Sequence, residues 1–231
     1  MTSYNSDQHF SRATTMNSFM CKVYGWMGGA FALTAGAAYG VYQHAPLFNF
    51  IMQKYVFFGL IIAELVLVWR LSARIHKMSF RLAAAAYVAY ALLTGVTLSV
   101  IFAVYQLPSI VSILLVSVAM FIGMALYGYY TKADLTTIGN VLLMGLFGIV
   151  IAGIVNVFFH NATVDFVCAA LGVMIFTGLI AYDTQKLKDL GGKMVERGQP
   201  INKIALMGAL ELYLDFVNLF LDLLRLFGKK K

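Results

Sequence analysis

Apolar positions gather into seven long runs: Phe19–Tyr42, Tyr55–Leu71, Leu82–Tyr105, Ser109–Tyr130, Ile138–Phe159, Val164–Tyr182 and Ile204–Phe227. A helix needs roughly 20 apolar residues to cross a hydrocarbon core of about 30 Å, and each run is near that length. His44-Ala45-Pro46, Gln106-Leu107-Pro108 and His160-Asn161 supply breaks between runs. The longest polar linker is Asp183–Lys203, which holds Gly191-Gly192, Gly198 and Pro200. The pattern predicts an all-α membrane protein, a seven-transmembrane-helix bundle over 19–227. A polar tail, 1–18, precedes it and a basic tail, 228–231, follows. The polar start lacks the layout of a cleaved signal peptide, so the first run is expected to be a retained helix.

The last run differs from the others. Glu211, Asp215, Asn218 and Asp222 are spaced 4, 3 and 4 apart. At about 100° per residue they form one narrow polar stripe on a helix otherwise made of Leu, Val, Phe and Tyr. Carboxylates do not face lipid cheaply. The stripe is therefore expected to face a bundle interior or a water-filled cavity, with the last helix central among the others.

Composition agrees with a membrane protein. The chain of 231 residues is 61% hydrophobic and 12% charged, against about 25% charged in soluble domains. The formal net charge of +7 comes from loops and helix ends, where it serves orientation and contact with anionic headgroups rather than nucleic acid. Arg70, Arg74, Lys77 and Arg81 crowd the second loop, Lys132 marks the fourth, and Lys186, Lys188, Lys193, Arg197 and Lys203 the sixth; Arg12 and Lys22 flank the first run. Lys54 alone represents Lys and Arg in the odd loops. The positive-inside rule then places the N-terminus and the even loops in the cytoplasm. Lys229, Lys230 and Lys231 do not fit seven full crossings. Either the tail breaks the rule or the last segment stops short of a crossing.

Several acids lie where lipid would penalise them. Glu64 interrupts the second run and either lines a path or seals a helix contact. Asp183 closes the sixth run, where a helix dipole disfavours it. If the sixth and last helices are neighbours, Asp183 and Asp215 meet and share a proton, because two close carboxylates do not both ionise cheaply. That is a pH-sensitive latch. Arg70 or Arg74 has the reach to snorkel inward and pair with it. Asp222 and Arg225, three apart, read as a structural ion pair. Glu64, Glu211, Asp215 and Asn218 offer hard oxygen ligands to a cation.

Enzyme signatures are absent: no HExxH, GxSxG or Walker loop, and no histidine cluster. No catalytic residue, resident cofactor or specific metal set is expected. Cys21 and Cys168 read as buried reduced thiols. Gly25 and Gly29, Gly36 and Gly40, and the small residues at 145, 148, 152 and 153 read as helix-packing positions.

The motifs Tyr182-Asp183-Thr184-Gln185, Leu212-Tyr213-Leu214-Asp215-Phe216-Val217-Asn218-Leu219-Phe220 and Gly95-Val96-Thr97-Leu98-Ser99 resemble those of the Bax inhibitor family of transmembrane proteins. Val23-Tyr24-Gly25-Trp26-Met27 and the short N-terminus look like its bacterial branch, which implies an inner membrane location. The resemblance implies six helices wrapped around the last and a pH-dependent calcium leak. It implies Asp183 and Asp215 as the proton-sensing pair, an arginine of the second helix (Arg74 ahead of Arg70) as its latch, and Glu64 on the ion path. Some bacterial members instead modulate a membrane protease, so the resemblance carries a second expectation: a non-conducting regulator bound to a membrane complex.

Overall fold

The computed structural model describes residues 2–196 and 201–231, with side chains for 17–75, 77–194 and 201–231. The chain forms α1 (Thr2–Gln43), α2 (Ala45–Ile51), α3 (Lys54–Arg74), α4 (Phe80–Leu98), α5 (Val100–Val104), α6 (Leu107–Tyr130), α7 (Thr136–Phe159), α8 (Ala162–Glu196) and α9 (Asn202–Phe227). Among the described residues, six helical stretches are long and apolar enough to cross a membrane: Lys54–Arg74, Phe80–Val104, Leu107–Tyr130, Thr136–Phe159, Ala162–Met194 and Asn202–Phe227. The first predicted run is helical within α1 but is not one of the six. Its glycines, tyrosines and Lys22 dilute its hydropathy.

Three local expectations change. His44-Ala45-Pro46 starts a helix instead of only breaking one: Pro46 sits in the first turn of α2, and His44 Nδ1 accepts from Leu47 N. The third run is interrupted at Ser99, whose hydroxyl donates to Val96 O at 2.7 Å. The polar linker after Asp183 is mostly helix, because α8 continues to Glu196. Leu187 is fully buried there, and the Phe19 ring lies where a side chain at Gly191 would sit. Arg197, Gly198 and Pro200 lie outside the described residues, as does the side chain of Arg12.

The helices group into two units. The first reaches Val104 and includes Lys188–Leu210; the second comprises Tyr105–Leu187 and Glu211–Lys231.

In the first unit α1 packs along α4, and α3 packs on α4. Phe19, Val23, Met27, Ala30, Thr34, Ala38 and Val41 are buried on α1, a stripe at the spacing a packed helix face requires. Thr34 Oγ1 donates to Ala91 O at 2.9 Å. At Gly95 an added Cβ would meet Thr34 O and Ala37. The backbones approach closely because glycine is there. Of the glycines singled out in the sequence, Gly145 lies close against the Ile175 side chain, whereas most of the others do not act this way. Beyond its own helix, nothing lies within 4 Å of a Cβ built at Gly25, Gly29, Gly36, Gly40, Gly148 or Gly153.

The second unit joins α6, α7, most of α8 and the second half of α9. Gly128 of α6 abuts the Ala181 backbone, Gly139 of α7 abuts the Tyr182 ring, and Phe121 meets Phe216 edge-on at 5.8 Å. Gln185 bridges into the α6–α7 turn, accepting from Leu135 N at 2.9 Å and donating to Ala133 O at 2.8 Å. At the other end the basic tail is pinned beside the α5–α6 turn. Gln106 N donates to Lys229 O at 2.9 Å, and Lys229 N donates to Ser109 Oγ at 3.0 Å. The tail thus lies beside the third loop.

Exposure differs sharply between helices. In its most apolar window α9 is 61% buried, whereas α3 is 6% and α7 0% buried. The apolar surfaces of α3 and α7, including Ile62, Leu65, Trp69, Phe147 and Ile151, suit contact with lipid.

Candidate functional site

Within the second unit, α8 and α9 bring the predicted acids together. Asp183 and Asp215 interact directly through their carboxyls, with Glu211 and Lys186 as their charged neighbours. Asp215 is 6% exposed, and its Oδ2 is enclosed without a hydrogen-bond partner among the described residues. Lys186 Nζ lies 3.7 Å from Asp183 Oδ1 and 3.2 Å from Glu211 Oε2. Asp183, Lys186, Glu211, Asp215 and Asn218 line a cavity of about 430 Å³ whose remaining wall includes Leu143, Leu146, Val150, Phe176 and Leu179. The local reason is simple. Positions 211, 215 and 218 share a face of α9, and Asp183 and Lys186 lie one turn apart on α8.

A second cavity, about 710 Å³, opens toward the α7–α8 turn and the end of α9. His160, Asn161, Asp165, Cys168, Asn218, Asp222 and Arg225 are in its wall. Arg225 Nη1 donates to Asp222 Oδ1 at 3.3 Å, so the predicted ion pair is present. Asp222 Oδ2 rests against Gly172, in the space a side chain there would fill. Leu146, Val150, Phe176 and Asn218 line both cavities. Asn218 Nδ2 donates back to Leu214 O at 2.8 Å, so the side chain is held at the junction.

The predicted Glu64, Arg70 and Arg74 belong to the first unit. Glu64 is half-buried and accepts from Thr94 Oγ1 at 2.6 Å and from Thr97 Oγ1 at 3.0 Å. Arg70 and Arg74 are exposed, form no ion pair among the described residues, and line a separate cavity of about 680 Å³. Cys21 is exposed rather than buried, and Cys168 is half-buried; both are free thiols. A position on an apolar segment did not imply burial for Cys21, because its side of α1 faces outward. Among the described residues no three His, Cys, Asp or Glu converge on a metal-sized point.

Lys186 was missed as a member of the acid site. It was counted with loop charges, although its spacing of three from Asp183 already put the two on one face if the helix ran on. Asp165 and Cys168 carried no signal, since only the fold turns them into the second cavity.

These features define a class: a polytopic helical membrane protein whose last helix carries a largely buried acidic stripe lining two cavities. The chain belongs to the Bax inhibitor family, since a family model described as Inhibitor of apoptosis-promoting Bax1 matches residues 16–231. An Escherichia coli (strain K12) relative, Inner membrane protein YbhL, is 43% identical over 228 residues, covering 98% of this chain and 97% of its own length. A Borreliella burgdorferi protein is 39% identical over 216 residues, 93% of each chain. A Deinococcus radiodurans protein is 36% identical over 211 residues, 91% of this chain and 90% of its own.

Proposed function

We propose that this chain is a pH-sensitive cation leak of the bacterial inner membrane, with calcium as the transported ion and the Asp183–Asp215 pair as its proton latch. The observation that carries the reading is the enclosed Oδ2 of Asp215 beside Asp183. A buried carboxylate without a donor is costly, and the donor this site lacks is supplied by one proton shared between the two acids. With the proton in place the pair ties α8 to α9. When the proton leaves, two like charges face each other, and the contact loosens. Lys186 is the cation at hand in the same unit; an arginine of α3, Arg74 ahead of Arg70, is the further latch in this reading.

The path runs past the stripe of α9. Glu211, Asp215 and Asn218 share one cavity, Asn218 also lines the next, and Asp222 and Arg225 stand in the second. Calcium takes several oxygen ligands with flexible geometry, and carboxylates, Asn218 and water supply them in passing. The heavy burial of α9 supports its place at the centre of seven crossings. The basic second loop and the tail position beside the third loop support a cytoplasmic N-terminus, with the tail on the opposite side.

The test is flux from liposomes. Purified chain should release trapped calcium at a rate that depends on pH. No flux at any pH, with a membrane protease or other complex co-purifying, would replace the leak by the regulatory reading.

A further inference from the structure

The first unit holds a cavity unrelated to the acid pair. It lies in the angle between the end of α3 and the start of α4, and its volume is about 680 Å³. Leu67, Arg70, Leu71 and Arg74 line it from α3, at the spacing of one helix face. Lys77 and Met78 close the turn, and Leu82 and Ala86 line it from α4. Three cations and no acid are in the wall. Arg70, Arg74 and Lys77 are exposed and have no ion-pair partner among the described residues.

We infer that this cavity binds the headgroup of an anionic phospholipid, with its phosphodiester on Arg70, Arg74 and Lys77 and the upper acyl chain on Leu67, Met78 and Leu82. Three arguments carry it. The charge is of one sign and lies in a concave site, which focuses attraction for an anion. The floor is apolar, so the matching ligand carries a negative group joined to hydrocarbon, which a soluble anion does not. The depth is right, because the cations occupy the last turn and exit of a stretch long and apolar enough to cross a membrane, where headgroups lie.

Further, the cavity adjoins the first turn of α4, whose unpaired N–H groups and dipole favour negative charge. Ser79 occupies one of these by accepting from Leu82 N at 3.3 Å. Arg supplies planar, multi-donor recognition of phosphate that Lys does not. The binding itself does not depend on the leak reading.

The experiment uses the full chain in detergent, with lipids added back and bound lipid counted by native mass spectrometry. Phosphatidylglycerol should be retained well above phosphatidylcholine, and salt should erode the difference. Each of Arg70→Gln, Arg74→Gln and Lys77→Gln should weaken phosphatidylglycerol binding about fivefold, the worth of one basic side chain near an anionic surface. Substituting the tail lysines, Lys229→Gln with Lys230→Gln and Lys231→Gln, should leave it unchanged. If the triple cavity variant fails to fold, the single Arg74→Gln variant and the salt titration read the same quantity. Equal retention of the two lipids by the wild type overturns the proposal. So does a variant combining Arg70→Gln, Arg74→Gln and Lys77→Gln that keeps its preference, or inorganic phosphate that displaces the lipid at comparable concentration.

Discussion

Glu64 Oε1 lies 2.6 Å from the Thr94 hydroxyl, which donates to it across the α3–α4 contact. Thr97 Oγ1 reaches the other carboxylate oxygen at 3.0 Å and also lies 3.0 Å from Thr94 O. Both threonines are buried. This clasp ties α3 to α4 through the Thr94 and Thr97 hydroxyls. Glu64→Leu should therefore lower stability, by about 1–3 kcal/mol for the stranded Thr94 hydroxyl. Thr94→Val should cost a similar amount, and the double variant less than the sum. Thermal melting in detergent measures all three. A Glu64→Leu protein that melts with the wild type yet conducts poorly would move Glu64 from the helix contact to the ion path.

The Asp222 carboxylate occupies the space above Gly172. Gly172→Ala should force it aside, weaken its bond to Arg225, and destabilise the second unit by about 1–3 kcal/mol, the usual range for overpacking. Shortening the acid, Asp222→Ser, should recover part of that loss when combined with Gly172→Ala, since Arg225 is half-exposed and retains water. Independent, additive losses in the two variants would show that the carboxylate does not depend on the glycine.

Much of this arrangement was legible in the sequence, and the reason is periodicity. The 4, 3, 4 spacing of Glu211, Asp215, Asn218 and Asp222 survives any bundle geometry, because it needs only a helix. The break at Gly191-Gly192 was misread for the same kind of reason. A glycine inside a helix costs about 1 kcal/mol, and the Phe19 ring packed at Gly191 favours continuing the helix there. The packing role assigned to Gly25, Gly29, Gly36 and Gly40 failed because spacing names a helix face without naming its neighbour. The Gln185 bridge to the α6–α7 turn left no trace in sequence, since it joins residues some fifty positions apart.

Asp134 offers a pH test outside the spans. The Thr136 hydroxyl, and then its backbone N–H at 2.9 Å from Asp134 Oδ1, hold this carboxyl below the usual carboxylate range. A depressed value in the folded state means stability that is present above the unfolded value and lost as pH falls through the folded one. The start of α7 should loosen on acidification. Asp134→Ala should be less stable than wild type at neutral pH and indistinguishable from it in strong acid. A difference that persists unchanged into acid would remove the charge from the explanation.

The acid pair carries the sharpest prediction. Two unit charges about 4 Å apart at an effective dielectric of 20 repel by roughly 4 kcal/mol. Asp183 and Asp215 interact directly, and Asp215 is buried, so water offers little relief. A shared proton removes the repulsion and its loss restores it, which gives the α8–α9 contact two arrangements chosen by pH. Asp183→Asn or Asp215→Asn abolishes the like-charge pair, so each should remove the pH dependence of flux, whatever its effect on the rate. The double variant should add little, because the pair acts as one unit. Lys186 provides an independent arm. It lies 3.7 Å from Asp183 and 3.2 Å from Glu211, and its positive charge favours the ionised pair. Lys186→Gln should therefore leave the pH dependence intact and move its midpoint to higher pH. Flux from calcium-loaded liposomes across acid to alkaline pH measures wild type and all four variants. Wild-type midpoints in both single aspartate variants would sink the latch, and a midpoint moved downward by Lys186→Gln would reverse the assigned role of the lysine.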